Sequence, residues 1–76
     1  MMVRQTVEQR LNNILIKLRG MGFEQEVPAV AIRNAIRLLY GSSFKTVNDY
    51  MNALIELGYI KPLRAGIYAI LKEVKA

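Results

Sequence analysis

The segment from Gly41 to Ile60 contains a strip of polar side chains suited to recognising another molecule. If this segment is a helix, its apolar side chains cover one broad face, and its polar side chains fall within about 100° of one another on the opposite side. Amine, amide and carboxylate groups arranged in this way can hydrogen-bond a partner while the apolar face packs against a core. The polar strip consists of Lys45, Asn48, Asp49, Asn52 and Glu56.

Catalytic chemistry has few candidate residues in this chain. The sequence contains neither His nor Cys, and its six acidic residues are scattered. No Gly-rich segment resembles a phosphate-binding loop. Because acids, bases, nucleophiles and metal ligands come mainly from these residue types, we expect no enzymatic activity, no metal site, no cofactor and no small-molecule ligand.

The length and the net charge indicate one small basic domain. The 76 residues are enough for a single domain over residues 1–76, and an apolar fraction of 53% can supply its core. The net charge of +5 favours an anionic partner such as DNA, RNA or an acidic surface. Solubility alone is the alternative explanation for a charge of this size.

The location of the protein can be anticipated from its apolar segments. The N-terminal segment MMVRQTVEQR becomes polar at once, which is not typical of a signal peptide. No apolar run approaches the roughly 20 residues of a membrane span. We therefore expect no membrane association and a cytoplasmic location, or the host cytoplasm if the source is viral.

The first helix is predicted over residues 6–20. Thr6 and Gln9 fit the pattern of a capping box. Leu15 and Ile16 widen the apolar surface beyond the stripe that faces the core, so we expect a homodimer that forms through this helix, the C-terminal tail KEVKA, or both. The alternative is a helix that serves the core alone. The core stripe, with helical spacings of four, three and four, consists of Val7, Leu11, Ile14 and Leu18.

The second helix is predicted over residues 28–40, after a segment, FEQEV, that is at most a short strand. Pro28 suits the first turn because its missing N–H would be unpaired there in any case. Arg33 and Arg37 lie four residues apart on the polar side, where their like charges repel each other. A phosphate between them would offset that repulsion. The alternative is pairing with a carboxylate of Glu24, Glu26 or Asp49.

The third helix is predicted over residues 43–57 and contains the polar strip. Either Ser42 or Ser43 can cap it, because a serine oxygen accepts a hydrogen bond from the first turn. Gly58 is expected to end it with a left-handed turn. Phe44 is expected at the edge of the core or as a hydrophobic staple. The four tyrosines are expected in the core or at its edge, and they are Tyr40, Tyr50, Tyr59 and Tyr68.

A β-hairpin is predicted over residues 58–71. The segments YI and IYAIL are rich in strand-forming residues, and KPLRAG between them contains the turn-forming Pro62 and Gly66. Lys61 and Arg64 would form a short basic tip. Contact of this tip with phosphates and simple solvation of the turn are the two interpretations.

The second and third helices, joined by a short Gly-containing turn, form a helix-turn-helix pattern. In such a motif the second helix lies in the major groove of DNA, with its N-terminal residues at the base edges. Lys45 could reach phosphate or guanine, and Asn48 and Asn52 could pair with adenine; the alternative is an ordinary solvated face. Phe44 could alternatively touch a thymine methyl group. Hydroxyl groups near phosphates would come from Ser42, Ser43 and Thr46.

The segment SFKTVNDYMNALIELGYI resembles the recognition helix and first wing strand of winged helix-turn-helix regulators of the GntR and MarR types. Their pattern is roughly S-x-x-T-V-x-x-x-L-x-x-L-x-x-x-G-x-I. The resemblance covers about residues 6–71, and only Ser43 to Ile60 matches a motif. It implies an α+β, mostly helical fold with three helices and a β-hairpin wing. The matching residues are Ser43, Thr46, Val47, Leu54, Gly58 and Ile60, and Met51 replaces the usual Leu.

The resemblance implies sequence-specific binding of double-stranded DNA by a small transcriptional regulator. Recognition helices of this family are often richer in Arg just after the Val, where this chain has Asn48 and Asp49; Asp49 could accept from cytosine or hold a neighbouring cation. The alternative function is a protein-binding adaptor in a transcription or replication complex. Phosphates would be bound by Arg33, Arg37, Lys61 and Arg64. Bases would be read by Lys45, Thr46, Asn48, Asp49 and Asn52.

Overall fold

A computed structural model of the chain, which describes residues 6–71, has three helices packed against a small three-stranded antiparallel sheet. This α+β, mostly helical arrangement is the predicted fold class and has the layout of a winged helix. The C-terminal tail, predicted as one route to a dimer, lies outside the described residues. The elements are α1 (Val7–Gly20), β1 (Glu26–Pro28), α2 (Ala29–Tyr40), α3 (Phe44–Glu56), β2 (Ile60–Arg64) and β3 (Ile67–Ile70).

The start of α1 is fixed by the predicted capping box. Thr6 Oγ1 accepts from the backbone N–H of Gln9 at 3.1 Å, and the backbone N–H of Thr6 donates to Gln9 Oε1 at 2.9 Å. Two N–H groups that the first turn cannot pair internally are thereby satisfied. Pro28 precedes α2 as its N-cap rather than lying inside its first turn, so the helix begins one residue later than predicted.

Helices α1 and α3 end in the same way. In each, the last helical residue is followed by a C-cap residue and then by a glycine. Gly22 and Gly58 have φ values of +100° and +80°, which L side chains rarely adopt. The N–H groups of the following residues, Phe23 and Tyr59, donate to the carbonyl oxygens five residues earlier at 3.1 and 2.9 Å. These bonds complete a Schellman motif at each end and direct both aromatic rings to the core. The predicted left-handed stop at Gly58 is confirmed.

The hydrophobic core lies between the three helices and one face of the sheet. Each helix contributes residues at helical spacing, and Val27 of β1 and Ile60 of β2 close the core from the sheet side. Leu15, predicted to widen the apolar surface of α1 beyond the core stripe, is fully buried, while Ile16 is 40% exposed. Val7, predicted in the core stripe, is 54% exposed because it lies at the first position of α1. The fully or almost fully buried helical residues are Leu11, Ile14, Leu15, Leu18, Ile32, Ala35, Ile36 and Leu54.

The sheet has the strand order β1-β3-β2, with antiparallel pairing throughout. The predicted loop KPLRAG is shorter than expected, because β2 continues through Arg64 and only Ala65 and Gly66 connect the strands. Pro62 is accommodated because β2 is an edge strand whose outer side needs no N–H donor. A register shift between Pro62 and Arg64 leaves Leu63 without a paired residue. Lys61 and Arg64 therefore lie on a strand and not on a loop tip.

Candidate nucleic-acid interface

The N-terminus of α3 is organised by two hydroxyl groups. Ser43, and not Ser42, is the N-cap: its Oγ accepts from the backbone N–H of Thr46 at 3.1 Å and donates to Thr46 Oγ1 at 2.8 Å. Ser42 is exposed just before the cap. This arrangement uses the Ser43 hydroxyl inside the protein, and the Thr46 hydroxyl group remains able to donate its own proton to another acceptor. The helix N-terminus also carries a partial positive charge that favours anions.

The polar strip of α3 faces away from the core, as the periodicity predicts. Val47, Met51 and Leu54 are buried on the inner face. On the outer side the strip makes no hydrogen bond or ion pair with another residue in the range 6–71, so the potential pairing of Asp49 with an arginine is not observed there. Its predicted recognition residues are Lys45, Asp49 and Asn52, which are exposed, and Asn48, which is half-buried.

Two arginines of α2 flank the polar strip. Arg33 and Arg37 line a groove of about 210 Å³ together with Phe44, Val47 and Asn48 of α3. Neither guanidinium is paired with a carboxylate of the described residues; Arg37 Nη1 donates to the side chain of Asn34 on its own helix at 3.3 Å. The structure thus brings these cations beside Asn48, and the groove is lined by two cations, one amide and two apolar side chains.

Phe44 is the one residue of this groove whose predicted environment is wrong. The sequence predicts it at the core edge or as a staple, but its side chain is 82% exposed, more than any other large apolar residue in the described range. Phe44 is the first residue of α3, about 60° of helical rotation away from Val47. That offset takes its ring past the boundary of the core and to the rim of the groove.

The basic residues of the hairpin lie on the solvent face of the sheet. Arg64 Nη2 is 2.7 Å from Glu26 Oε1, and this ion pair joins β2 to β1 across the central strand. The two side chains are 64% and 53% exposed, so the pair contributes at most about 1 kcal/mol. Lys61 is exposed in the same row of the sheet as Glu26, opposite Ala69. The sequence offered Glu26 as a partner for Arg33 or Arg37, but it pairs with Arg64.

A second cleft, on the opposite flank of α3, contains an interaction that the sequence did not reveal. Arg10 Nη1 donates to Tyr50 Oη at 3.1 Å, and Tyr40 Oη donates to the carbonyl of Arg10 at 3.2 Å. The rings of Tyr40 and Tyr50 stack with centroids 4.8 Å apart and planes 22° apart. This cluster joins all three helices and orients α3. The lining residues are Val7, Arg10, Tyr40, Thr46, Asp49, Tyr50 and Ala53, around about 530 Å³.

Comparison with known proteins identifies no relative of this chain. No protein-family model, no curated protein and no solved structure matches the chain. Among residues 6–71, no helix is long and apolar enough to cross a membrane. The resemblance to winged-helix regulators therefore rests on the motif between Ser43 and Ile60 and on an architecture compatible with a winged helix.

Proposed function

We propose that this chain is a winged-helix domain of the GntR or MarR type that binds double-stranded DNA sequence-specifically, as a small transcriptional regulator. In this proposal α3 lies in the major groove. One observation carries it: the polar strip of α3 has no partner within residues 6–71, and it lies beside the guanidinium groups of Arg33 and Arg37, which no described carboxylate neutralises.

The composition of the strip favours recognition over simple solvation. Asn lowers helix stability relative to Lys, Glu or Ala, yet α3 has Asn48 and Asn52 in its interior. Neither side-chain amide makes a hydrogen bond with another residue in the range 6–71. A carboxamide can donate to and accept from an adenine edge at the same time, and Lys45 can donate to guanine or to phosphate. Thr46 and Asp49 complete the base-reading set of this proposal.

Phosphate binding is assigned to both ends of the interface. Arg33 and Arg37 repel each other at i, i+4 spacing. A phosphate bound between them would attract both side chains and offset that repulsion. Lys61 and Arg64 would bind the backbone from the hairpin. Arg64 must first leave Glu26, which is a small cost because both groups are exposed. Ser42 and Ser43 add hydroxyl groups at the α3 N-terminus.

A homodimer is part of the proposal. Two copies would present two α3 helices about one turn of DNA apart and would double the number of phosphate contacts. Association would also stabilise a domain this small by mass action. Leu15 and Ile16 widen the apolar surface of α1 in the sequence, and of these two only Ile16 is exposed to solvent. Met21 at the end of α1 is exposed as well. Sedimentation velocity at several protein concentrations tests this association.

The test of DNA binding is fluorescence anisotropy with a duplex of about 30 base pairs, three turns of the double helix, at roughly 50 and 200 mM salt. We expect affinity to fall steeply with salt, because each neutralised phosphate adds about −0.9 to the slope of log K against log salt. The double variant Lys45→Ala/Asn48→Ala should bind more weakly. Lys17→Ala on α1 is the control with the same change of charge. If the unmodified protein does not bind at the lower salt concentration, the proposal is wrong.

A second candidate function is a protein-binding adaptor, and one observation favours it. Val30 and Leu38 of α2 are 60% and 69% exposed and lie eight residues apart on the outer side of the helix. Apolar residues in such positions can bury area against another protein. Binding through them would be less sensitive to salt than DNA binding. Val30→Ser/Leu38→Ser would weaken an adaptor's complex and leave a salt-dependent DNA complex unchanged.

A further inference from the structure

Phe44 is an exposed aromatic residue in an unusually charged setting. Its ring is 82% exposed at the first position of α3. The groove that it lines also contains Arg33 and Arg37, and Lys45 is its neighbour along the chain. The capping of α3 by Ser43 and the core contacts of Val47 do not involve the Phe44 ring, so local stability does not account for its position.

A partner that binds in this groove must supply anionic groups for the two arginines and, close to them, an apolar group for the Phe44 ring. An acidic surface satisfies the arginines, but the ring needs an apolar group at close range. In the major groove of DNA, phosphates flank base edges that carry one apolar group, the C5 methyl of thymine. The groove's combination of charge and apolar surface therefore matches double-stranded DNA more closely than an acidic surface without such groups.

We propose that Phe44 determines specificity by packing against a thymine methyl group in the major groove. Phe44 and Asn48 lie four residues apart on one face of α3, and both line the groove with the two arginines. Asn48 would pair with an adenine near that thymine, while Arg33 and Arg37 bind the adjoining phosphates. This assignment rests on the proposed DNA-binding function and adds the base feature that the domain prefers.

The test is a comparison of thymine with deoxyuridine, which lacks only the C5 methyl group. A preferred duplex is first selected from a randomised library with the unmodified protein, and each of its thymines is then replaced in turn. We expect binding to weaken about fourfold at one or two positions, the effect of one buried methyl group. Phe44→Ala should bind both duplexes equally, at an unchanged salt slope, and Phe44→Leu should recover part of the discrimination.

Leu38→Ala provides the matched control, because Leu38 is also a largely exposed apolar residue but lies on α2 outside the groove. This variant should keep the full sensitivity to deoxyuridine. Circular dichroism melting should give the same midpoint for Phe44→Ala and the unmodified protein, because an exposed ring contributes little to the folded state. Equal melting excludes loss of folding as the cause of lost discrimination.

Three results would overturn the assignment of Phe44: a selected duplex without thymine, equal affinity of the unmodified protein for thymine and deoxyuridine at every position, or undiminished discrimination by Phe44→Ala. In each case salt-dependent binding that needs Asn48 would leave the proposed function intact. Absence of salt-dependent binding to any duplex would instead remove the proposed function, and the role of Phe44 with it.

Discussion

The two flanks of α3 differ in how completely their polar groups are satisfied within the protein. On the α1 side, Arg10, Tyr40 and Tyr50 bond and stack with one another. On the α2 side, Arg33 lacks a partner in the described range and Arg37 has only a neighbouring amide. Polar groups bonded internally fix the position of a helix, whereas groups left unpaired at its surface are available to a partner. The α1 flank thus orients α3, and the α2 flank would supply the phosphate-binding arginines. Thr46 and Asp49 of the proposed base-reading set line the cleft on the α1 flank, away from those arginines.

The largest effect on binding is expected from the double variant Arg33→Ala/Arg37→Ala. Loss of two charge-assisted contacts should cost at least about 2 kcal/mol, or roughly thirtyfold in affinity. The salt slope should decrease in magnitude by about 1.8, for two phosphates. Folding stability should stay the same or rise by a few tenths of a kcal/mol, because a repulsive pair is removed.

The control for this variant is Lys17→Ala/Arg19→Ala, which removes two exposed cations from α1. Anisotropy titrations over a series of salt concentrations compare the two proteins. Equal losses in both would mean that the arginines of α2 act only through net charge. The difference between the flanks would then have no bearing on binding.

The difference between the flanks was only partly predictable from the sequence. The ends of the helices were anticipated to within one residue, because caps such as Thr6 and stops such as Gly58 are local signals. The hydrogen bond from Arg10 to Tyr50 joins residues 40 positions apart and depends on how the helices pack. The exposure of Phe44 depends similarly on where the core ends along α3, which helical periodicity alone does not specify.

A smaller effect is expected from Tyr50→Phe on the α1 flank. The variant keeps the stacked ring but removes the acceptor of the Arg10 hydrogen bond, so the free energy of unfolding should fall by about 1 kcal/mol. The salt slope of DNA binding should not change, because Tyr50 contacts no phosphate in the proposed complex. Urea unfolding and the anisotropy titration measure the two quantities.

Tyr68→Phe is the matched control for this effect. Tyr68 is also half-buried, but its hydroxyl has no hydrogen-bond partner in the described range, so the same substitution should leave stability nearly unchanged. If both variants unfolded at the same urea concentration, the Arg10–Tyr50 hydrogen bond would not contribute to the stability of the fold. A change of the salt slope in Tyr50→Phe would instead mean that Arg10 on the α1 flank contacts a phosphate.

The smallest effect is expected at the hairpin. Arg64 has an ion-pair partner, but an exposed one, so its polar group is satisfied more fully than those of the α2 flank and less fully than those of the α1 flank. Glu26→Gln releases Arg64 at a stability cost of at most about 1 kcal/mol, since both side chains are exposed. If the freed guanidinium binds a phosphate, affinity should rise a few-fold and the salt slope should become more negative by up to about 0.9.

Glu24→Gln makes the same change of charge two residues away, at a carboxylate with no ion-pair partner among residues 6–71. A larger effect of Glu26→Gln than of Glu24→Gln in anisotropy titrations would place the hairpin on the DNA, because only Glu26 holds Arg64. Identical effects would restrict the interface to α2 and α3.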